Sequence, residues 1–133
     1  ELYDRDSNLV SLGDFEGKYV YLNFCSCFSY TCLNEFKMLS TLYEKHSDRL
    51  EIVTVLIDND PDVINSFLER SNYTWEFLHY GNQSSILREY DIRAFPTYYL
   101  IDPQGKLAIS PAPPPGDEFE ARFFKLMRSR GEI

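Results

Sequence analysis

Three cysteines are the residues of this sequence best suited to covalent chemistry. Cys25, Cys27 and Cys32 lie within a stretch of eight residues, and the 133-residue chain has no other cysteine. Such clustering indicates a local site and not a framework of long-range disulfides, and an odd number leaves at least one thiol unpaired within the chain. Thiolates attack disulfides and are themselves oxidised to disulfides, so thiol chemistry is what these three residues could perform.

The cluster lies between a predicted strand and a predicted helix. Residues 18–24 are aromatic and β-branched with little polarity, which is typical of a strand buried on both faces. Apolar residues then recur at three- and four-residue spacing from about Tyr30 to His46, which predicts an amphipathic helix. The N-terminus of a helix stabilises an anion, including a thiolate, and Ser29 is a candidate N-cap there.

The remaining patterns predict an α/β fold. We expect an N-terminal hairpin over residues 2–12, strands over 50–57, 75–78 and 97–101, a hairpin partner over 106–110, and helices over 61–70, 84–90 and 117–130. Alternation of strand and helix predicts parallel central strands, and the late hairpin adds antiparallel edge strands. We therefore expect a three-layer α/β/α sandwich with a mixed central sheet and an N-terminal β-hairpin extension, formed by residues 1–133 as a single domain.

Charge and composition exclude several classes of function. A net charge of −8 repels nucleic acid and anionic lipid. We predict no metal and no cofactor, because His46 and His79 lack a second ligand at useful spacing and the run 58–62 lacks the glycine and closing glutamate of a calcium loop. No apolar run is long enough to span a membrane. Because the chain starts at Glu1 without a methionine, we expect it to be a processed product or a segment excised from a longer protein.

The residues around the cysteines carry a family resemblance. Residues 22–36 read Leu-Asn-Phe-Cys-Ser-Cys-Phe-Ser-Tyr-Thr-Cys-Leu-Asn-Glu-Phe. This run resembles the TlpA/ResA-like (AhpC/TSA-related) thiol-disulfide oxidoreductases of the thioredoxin superfamily, in which Asn-Phe-Trp leads to Trp-Cys-x-x-Cys and then a glutamate three residues later. Asn23, Phe24, Cys32 and Glu35 match that pattern. Ser29 stands in place of the first cysteine, so the motif is Ser-x-x-Cys.

A second match lies before the strand at 97–101, in the run Ile-Arg-Ala-Phe-Pro-Thr over residues 92–97. The resemblance implies that Pro96 is a cis-proline facing the redox motif and that the Phe95 backbone pairs with an extended substrate peptide. The substrate-binding residues that it implies are Phe28, Tyr30, Thr31, Phe95 and Pro96.

Three functions stay open at this point. In the first, Cys32 exchanges disulfides with Cys27 or Cys25; Cys27 precedes the helix and is expected to attack, and Cys25 is expected to neighbour Cys32. In the second, the domain is catalytically silent and binds peptides or proteins at the groove of Phe95 and Pro96. In the third, Cys27 or Cys32 is a single thiol that peroxide oxidises.

The resemblance also has implications for Glu35, for the partners and for the location of the protein. It implies that Glu35 is a partly buried acid that relays protons near Cys32. It implies protein or peptide thiols and disulfides as partners. It also implies an extracytoplasmic location, periplasmic or membrane-anchored, with a tether or fused domain outside this segment.

Overall fold

The computed structural model of the protein describes residues 2–6, 8–57, 60–79 and 96–133. Its strands are β1 (Leu2–Tyr3), β2 (Leu9–Val10), β3 (Tyr19–Cys25), β4 (Leu50–Leu56), β5 (Glu76–His79), β6 (Thr97–Ile101) and β7 (Leu107–Ile109). Its helices are α1 (Tyr30–His46), α2 (Pro61–Arg70) and α3 (Asp117–Ser129), and a 3₁₀ turn over Leu12–Phe15, which the sequence analysis did not predict, follows the first hairpin.

The described strands form one mixed sheet in the order β2-β1-β5-β4-β3-β6-β7. Strands β3, β4 and β5 are parallel neighbours, and β6 and β7 add antiparallel strands on the far side of β3. Strands β1 and β2 form the N-terminal hairpin and join the sheet through β5. The mixed α/β sheet with a hairpin extension is therefore confirmed.

Strand β3 is central and buried along its whole length. Because successive side chains of a strand point to opposite faces, Tyr21 and Cys25 lie on one face, and Leu22 and Phe24 lie on the other. The first face packs in a core cluster with side chains of all three described helices, and the second face belongs to a separate cluster. Cys25 and Cys32 are both in the first cluster.

Helix α1 holds Cys32 against that face. Its buried residues are Cys32, Phe36, Leu39 and Leu42, which recur every three or four residues as the sequence pattern predicts. The Phe36 ring packs against aromatic rings on three other segments, those of Phe67, Tyr73, Trp75 and Phe77. This aromatic packing fixes the first two turns of α1 over the sheet and thereby positions Cys32.

Most predicted boundaries agree with the structure. Helices α1 and α2 span the predicted residues, whereas the strand expected over 75–78 is β5, displaced by one residue. The displacement arises because Trp75, although buried, lies in the core before the sheet pairing begins. The helix expected over 84–90 lies outside the described residues. None of the helices in the described part of the chain is long and apolar enough to cross a membrane.

Candidate functional site

A tight turn joins β3 to α1 and carries the motif. The Ser29 N–H donates to the Ser26 carbonyl at 3.2 Å, and the Phe28 N–H donates to the Ser26 hydroxyl at 3.1 Å. The chain therefore reverses between Ser26 and Ser29 and enters α1 at once. Cys27 and Phe28 occupy the two middle positions of the turn; Cys27 is half-buried and Phe28 is 76% exposed.

The turn brings Cys25 and Cys32 into contact. The Cys25 S–H donates a hydrogen bond to Cys32 Sγ, and both residues are fully buried. Two further donors, the Ser29 O–H and the Ser26 N–H, also point at Cys32 Sγ. The hydrogen bond from Cys25, opposed in part by burial, lowers the pKa of Cys32 to about 7. The same hydrogen bond, together with burial, raises the pKa of Cys25, so Cys25 is the protonated partner.

Ser29 is the N-cap of α1. Its side chain accepts the backbone N–H of Cys32 at 3.3 Å, which satisfies one of the donors that a helix N-terminus leaves free. Its own hydroxyl hydrogen is then available to Cys32 Sγ. The residue in place of the family's first cysteine therefore supports the Cys32 thiolate.

Glu35 and Tyr98 lie beside the two sulfurs. The Tyr98 O–H donates to Glu35 Oε2 at 2.8 Å, and the Tyr98 ring stacks on Tyr21 with ring centroids 5.1 Å apart. Burial raises the pKa of Glu35, and the hydrogen bond from Tyr98 opposes that rise. The charge of Glu35 in turn acts to raise the pKa of Cys25 and Cys32. A carboxyl group of raised pKa is thus within electrostatic reach of the dithiol.

A buried polar chain lies behind Cys25. The Trp75 indole Nε1–H donates to Thr54 Oγ1 at 2.9 Å, Thr54 Oγ1 donates to Asn23 Oδ1 at 2.7 Å, and Asn23 Nδ2 donates to Cys25 Sγ at 3.4 Å. The parallel register of β3 and β4 sets Asn23 opposite Thr54. Sequence reasoning identified Asn23 only as a family match and placed Trp75 only at the start of a predicted strand. A signal was available in the single polar residues that interrupt the apolar faces of the two strands.

The predicted substrate-binding residues divide into two groups. Tyr30 is 78% exposed and Thr31 is exposed, so both lie at the surface beside Phe28. Pro96 is half-buried and directly precedes β6, whose Thr97 pairs with Phe24. Pro96 therefore lies at the same end of the strands as the motif, where β3 leads into the turn. Phe95 lies outside the described residues, and the cis geometry expected of its bond to Pro96 stays a prediction.

The described residues include no group of three or more His, Cys, Asp or Glu side chains that could hold a metal ion.

Comparison with known proteins gives the family. The model of the AhpC/TSA family matches residues 1–110 of this chain. The chain belongs to the AhpC/TSA family. A curated relative, the thiol-disulfide oxidoreductase ResA of Oceanobacillus iheyensis, is 32% identical over 103 residues, which are 77% of this chain and 53% of that protein. The chain spans 53–61% of the lengths of the curated relatives that it matches.

Solved structures agree on the fold. The thioredoxin domain of a thiol-disulfide oxidoreductase from Bacteroides vulgatus superposes with a TM-score of 0.81 at 27% identity, covering 94% of this chain and 90% of that one. The exposed lipoprotein thioredoxin of Streptococcus pneumoniae superposes with a TM-score of 0.77 at 24% identity, covering 96% and 97%. This AhpC/TSA family member is a thioredoxin-like domain of the TlpA/ResA-like type, as the sequence motifs predict.

Proposed function

We propose that this domain exchanges thiols and disulfides through a dithiol made of Cys25 and Cys32, with protein or peptide disulfides as substrates. The observation that carries the proposal is the hydrogen bond from the Cys25 S–H to Cys32 Sγ inside the core. A disulfide needs two sulfurs that can approach to about 2 Å on Cα atoms no more than about 7 Å apart. Two sulfurs already in hydrogen-bonding contact need little backbone movement to join.

Cys27 is proposed as the point of entry for a substrate. Cys25 and Cys32 are fully buried, so a protein disulfide does not reach either sulfur directly. Cys27 is half-buried at the outer part of the turn and directly follows Ser26, whose N–H contacts Cys32 Sγ. A partly accessible thiol next to a buried, thiolate-stabilising pair can receive a disulfide and pass it inward.

The exchange then takes three balanced steps. The Cys27 thiolate attacks the substrate disulfide, which forms a mixed disulfide and releases one substrate thiolate. The Cys32 thiolate attacks the Cys27 sulfur, which forms a Cys27–Cys32 disulfide and releases the second substrate thiolate. Cys25 attacks Cys32, which forms the Cys25–Cys32 disulfide and returns Cys27 as a thiolate. The substrate gains two electrons and the dithiol loses two, and two external thiols, which run the same steps in reverse and leave as a disulfide, restore it.

Glu35 is proposed as the proton acceptor for the last step. Cys25 must lose its proton before it attacks, and its raised pKa makes that loss unfavourable without a nearby base. Glu35 is the carboxyl group whose charge acts on both sulfurs, and the Tyr98 hydroxyl holds it in place. The proton that leaves Cys25 goes to the Glu35 carboxylate and from there to solvent.

The names of the relatives support a proposal about where this domain acts. Curated relatives are thiol-disulfide oxidoreductases of the ResA type, and one structural neighbour is an exposed lipoprotein. We propose that this domain also acts outside the cytoplasm, as one thioredoxin-like domain of a longer exported protein. Disulfide chemistry is sustained in such oxidising compartments.

The experiment is a thiol count with matched serine variants. After reaction with a peptide disulfide, the reduced protein should lose two of its three thiols, and Cys25→Ser should stop as a mixed disulfide or a Cys27–Cys32 disulfide. Cys27→Ser should react more slowly with a protein disulfide than with a small oxidant such as diamide, because only the small reagent reaches the buried pair. Three thiols retained by the unmodified protein would contradict the proposal.

A second function is favoured by the surface beside the motif. Phe28 and Tyr30 are large and more than three-quarters exposed, and together with Thr31 they flank Ser29. A silent domain could bind an extended peptide on this surface and at Pro96. Binding of a cysteine-free peptide that survives Cys32→Ser but is lost in a Phe28→Ser, Tyr30→Ser double variant would support this function, and equal binding by both variants would exclude it.

A further inference from the structure

The hydrogen bonds of the buried polar chain behind Cys25 run in one direction in the structure. An indole N–H donates and cannot accept, so Thr54 Oγ1 is the acceptor in its contact with Trp75. The single hydroxyl hydrogen of Thr54 is then free to be donated to Asn23. Because the Asn23 side-chain oxygen receives that hydrogen, its NH₂ group must be the part that faces Cys25 Sγ.

The direction continues to the second sulfur. Cys25 Sγ accepts the amide hydrogen of Asn23, so its own S–H is left to be donated to Cys32. Hydrogen bonds thus join five groups in one direction, from the Trp75 indole N–H to Cys32 Sγ, which accepts the last of them. Asn23 and Thr54 are fully buried and Trp75 is nearly so, so water does not compete within the chain.

We propose that Asn23 and Thr54 are positioning residues that make Cys25 a hydrogen-bond donor to Cys32, and that Trp75 fixes the direction of the chain. The inference rests on the proposed function, in which Cys25 and Cys32 react as a pair. The Asn23 amide, held by Thr54, leaves the Cys25 S–H to Cys32, so two residues that do not touch Cys32 support its thiolate, although the same amide bond also acts to lower the pKa of Cys25. If the Asn23 amide were turned over, its oxygen would accept the Cys25 S–H, and Cys32 would lose that bond.

The test is the titration of Cys32, followed by thiolate absorbance in the ultraviolet. Thr54→Val removes the hydroxyl that holds the Asn23 amide, and we expect the Cys32 midpoint to rise by about one pH unit, the size of one hydrogen bond to a charged group. The thiolate fraction at pH 7 should then fall about fivefold. Thr54→Ser restores the hydroxyl and should keep the midpoint of the unmodified protein. Equal midpoints in the folded Thr54→Val and Thr54→Ser proteins would overturn the inference.

A second measurement leaves Asn23, Thr54 and Trp75 unchanged. The protein has one tryptophan, so its indole N–H gives a single signal in a ¹H–¹⁵N spectrum. We expect the shift of that signal to follow pH with the midpoint of Cys32 and to stay constant in Cys32→Ser. A signal that does not follow Cys32 would overturn the inference even if Thr54→Val failed to fold. Disulfide mapping of the oxidised, unmodified protein separately reports whether Cys25 and Cys32 react as a pair, so the two failures are distinguishable.

Discussion

Removal of the Cys25 thiol should make Cys32 a poorer thiolate. The hydrogen bond from Cys25 is the largest influence that lowers the pKa of Cys32 to about 7, from an ordinary value of 9.0, and burial of Cys32 acts in the opposite direction. A hydrogen bond to a charged group contributes about 1.5–3 kcal/mol, and one pH unit corresponds to about 1.4 kcal/mol. Cys25→Ala should therefore raise the Cys32 midpoint by about one to two pH units.

The assay is a thiolate titration in a background that contains Cys27→Ser. The Cys25→Ala protein then has Cys32 as its only thiol, so the titration has a single origin. The parent protein in this background retains Cys25, whose raised pKa keeps it protonated while Cys32 titrates. Cys25→Ser is the matched control, because a hydroxyl still donates to Cys32 Sγ and should preserve most of the lowered midpoint.

Circular dichroism and an unfolding curve establish that both variants fold. A folded Cys25→Ala protein that still titrates near pH 7, together with an identical Cys25→Ser protein, would refute the reasoning. In that case Ser29 and Ser26 would account for the thiolate without Cys25.

Three further predictions concern the same site. Because folding lowers the pKa of Cys32, the reduced protein should gain about 2–3 kcal/mol of stability relative to Cys32→Ser as the pH rises from about 7 to about 9. Above about pH 9 the reduced protein should lose stability, because folding raises the pKa of Cys25. Chemical denaturation at a series of pH values measures both changes in stability. A stability difference between the two proteins that is the same at every pH would contradict both expectations. Tyr98→Phe removes the bond that lowers the pKa of Glu35, so the Glu35 carboxyl should titrate at a higher pH by NMR than in the parent, and an unchanged or lower midpoint would count against the contact. Ser29→Cys restores Cys-x-x-Cys and should give strong activity in a disulfide reductase assay. A Ser29→Cys protein without reductase activity would mean that the surrounding surface has diverged. Ser29→Ala should cost about 1 kcal/mol of stability through loss of the N-cap.

Local signals explain why the helices beside the site were predictable. Ser29 and Asp60 accept backbone hydrogen bonds at the starts of α1 and α2, and these are the residue types that favour N-caps. Strand β5 was placed one residue early, because Trp75 is typical of a strand in the sequence although it lies just before the pairing of β5 begins. The half-buried position of Cys27 in the turn and the position of Cys25 next to Cys32 follow from the strand–turn–helix order.

The hydrogen-bond chain was not predictable, because it depends on contacts distant in sequence. It requires the register that sets Asn23 opposite Thr54 across two parallel strands and the entry of Trp75 from a third segment. No periodicity in the sequence encodes such a register. Likewise, the contact of Tyr98 with Glu35 joins residues 63 positions apart.

The most direct test of the dithiol is a disulfide map of the protein after oxidation by a peptide disulfide. The oxidised protein is alkylated, digested without reductant and analysed by mass spectrometry. We predict one linkage, between Cys25 and Cys32, with Cys27 alkylated as a free thiol. Three alkylated cysteines, or a final product in which Cys27 carries the stable disulfide, would contradict the proposed function.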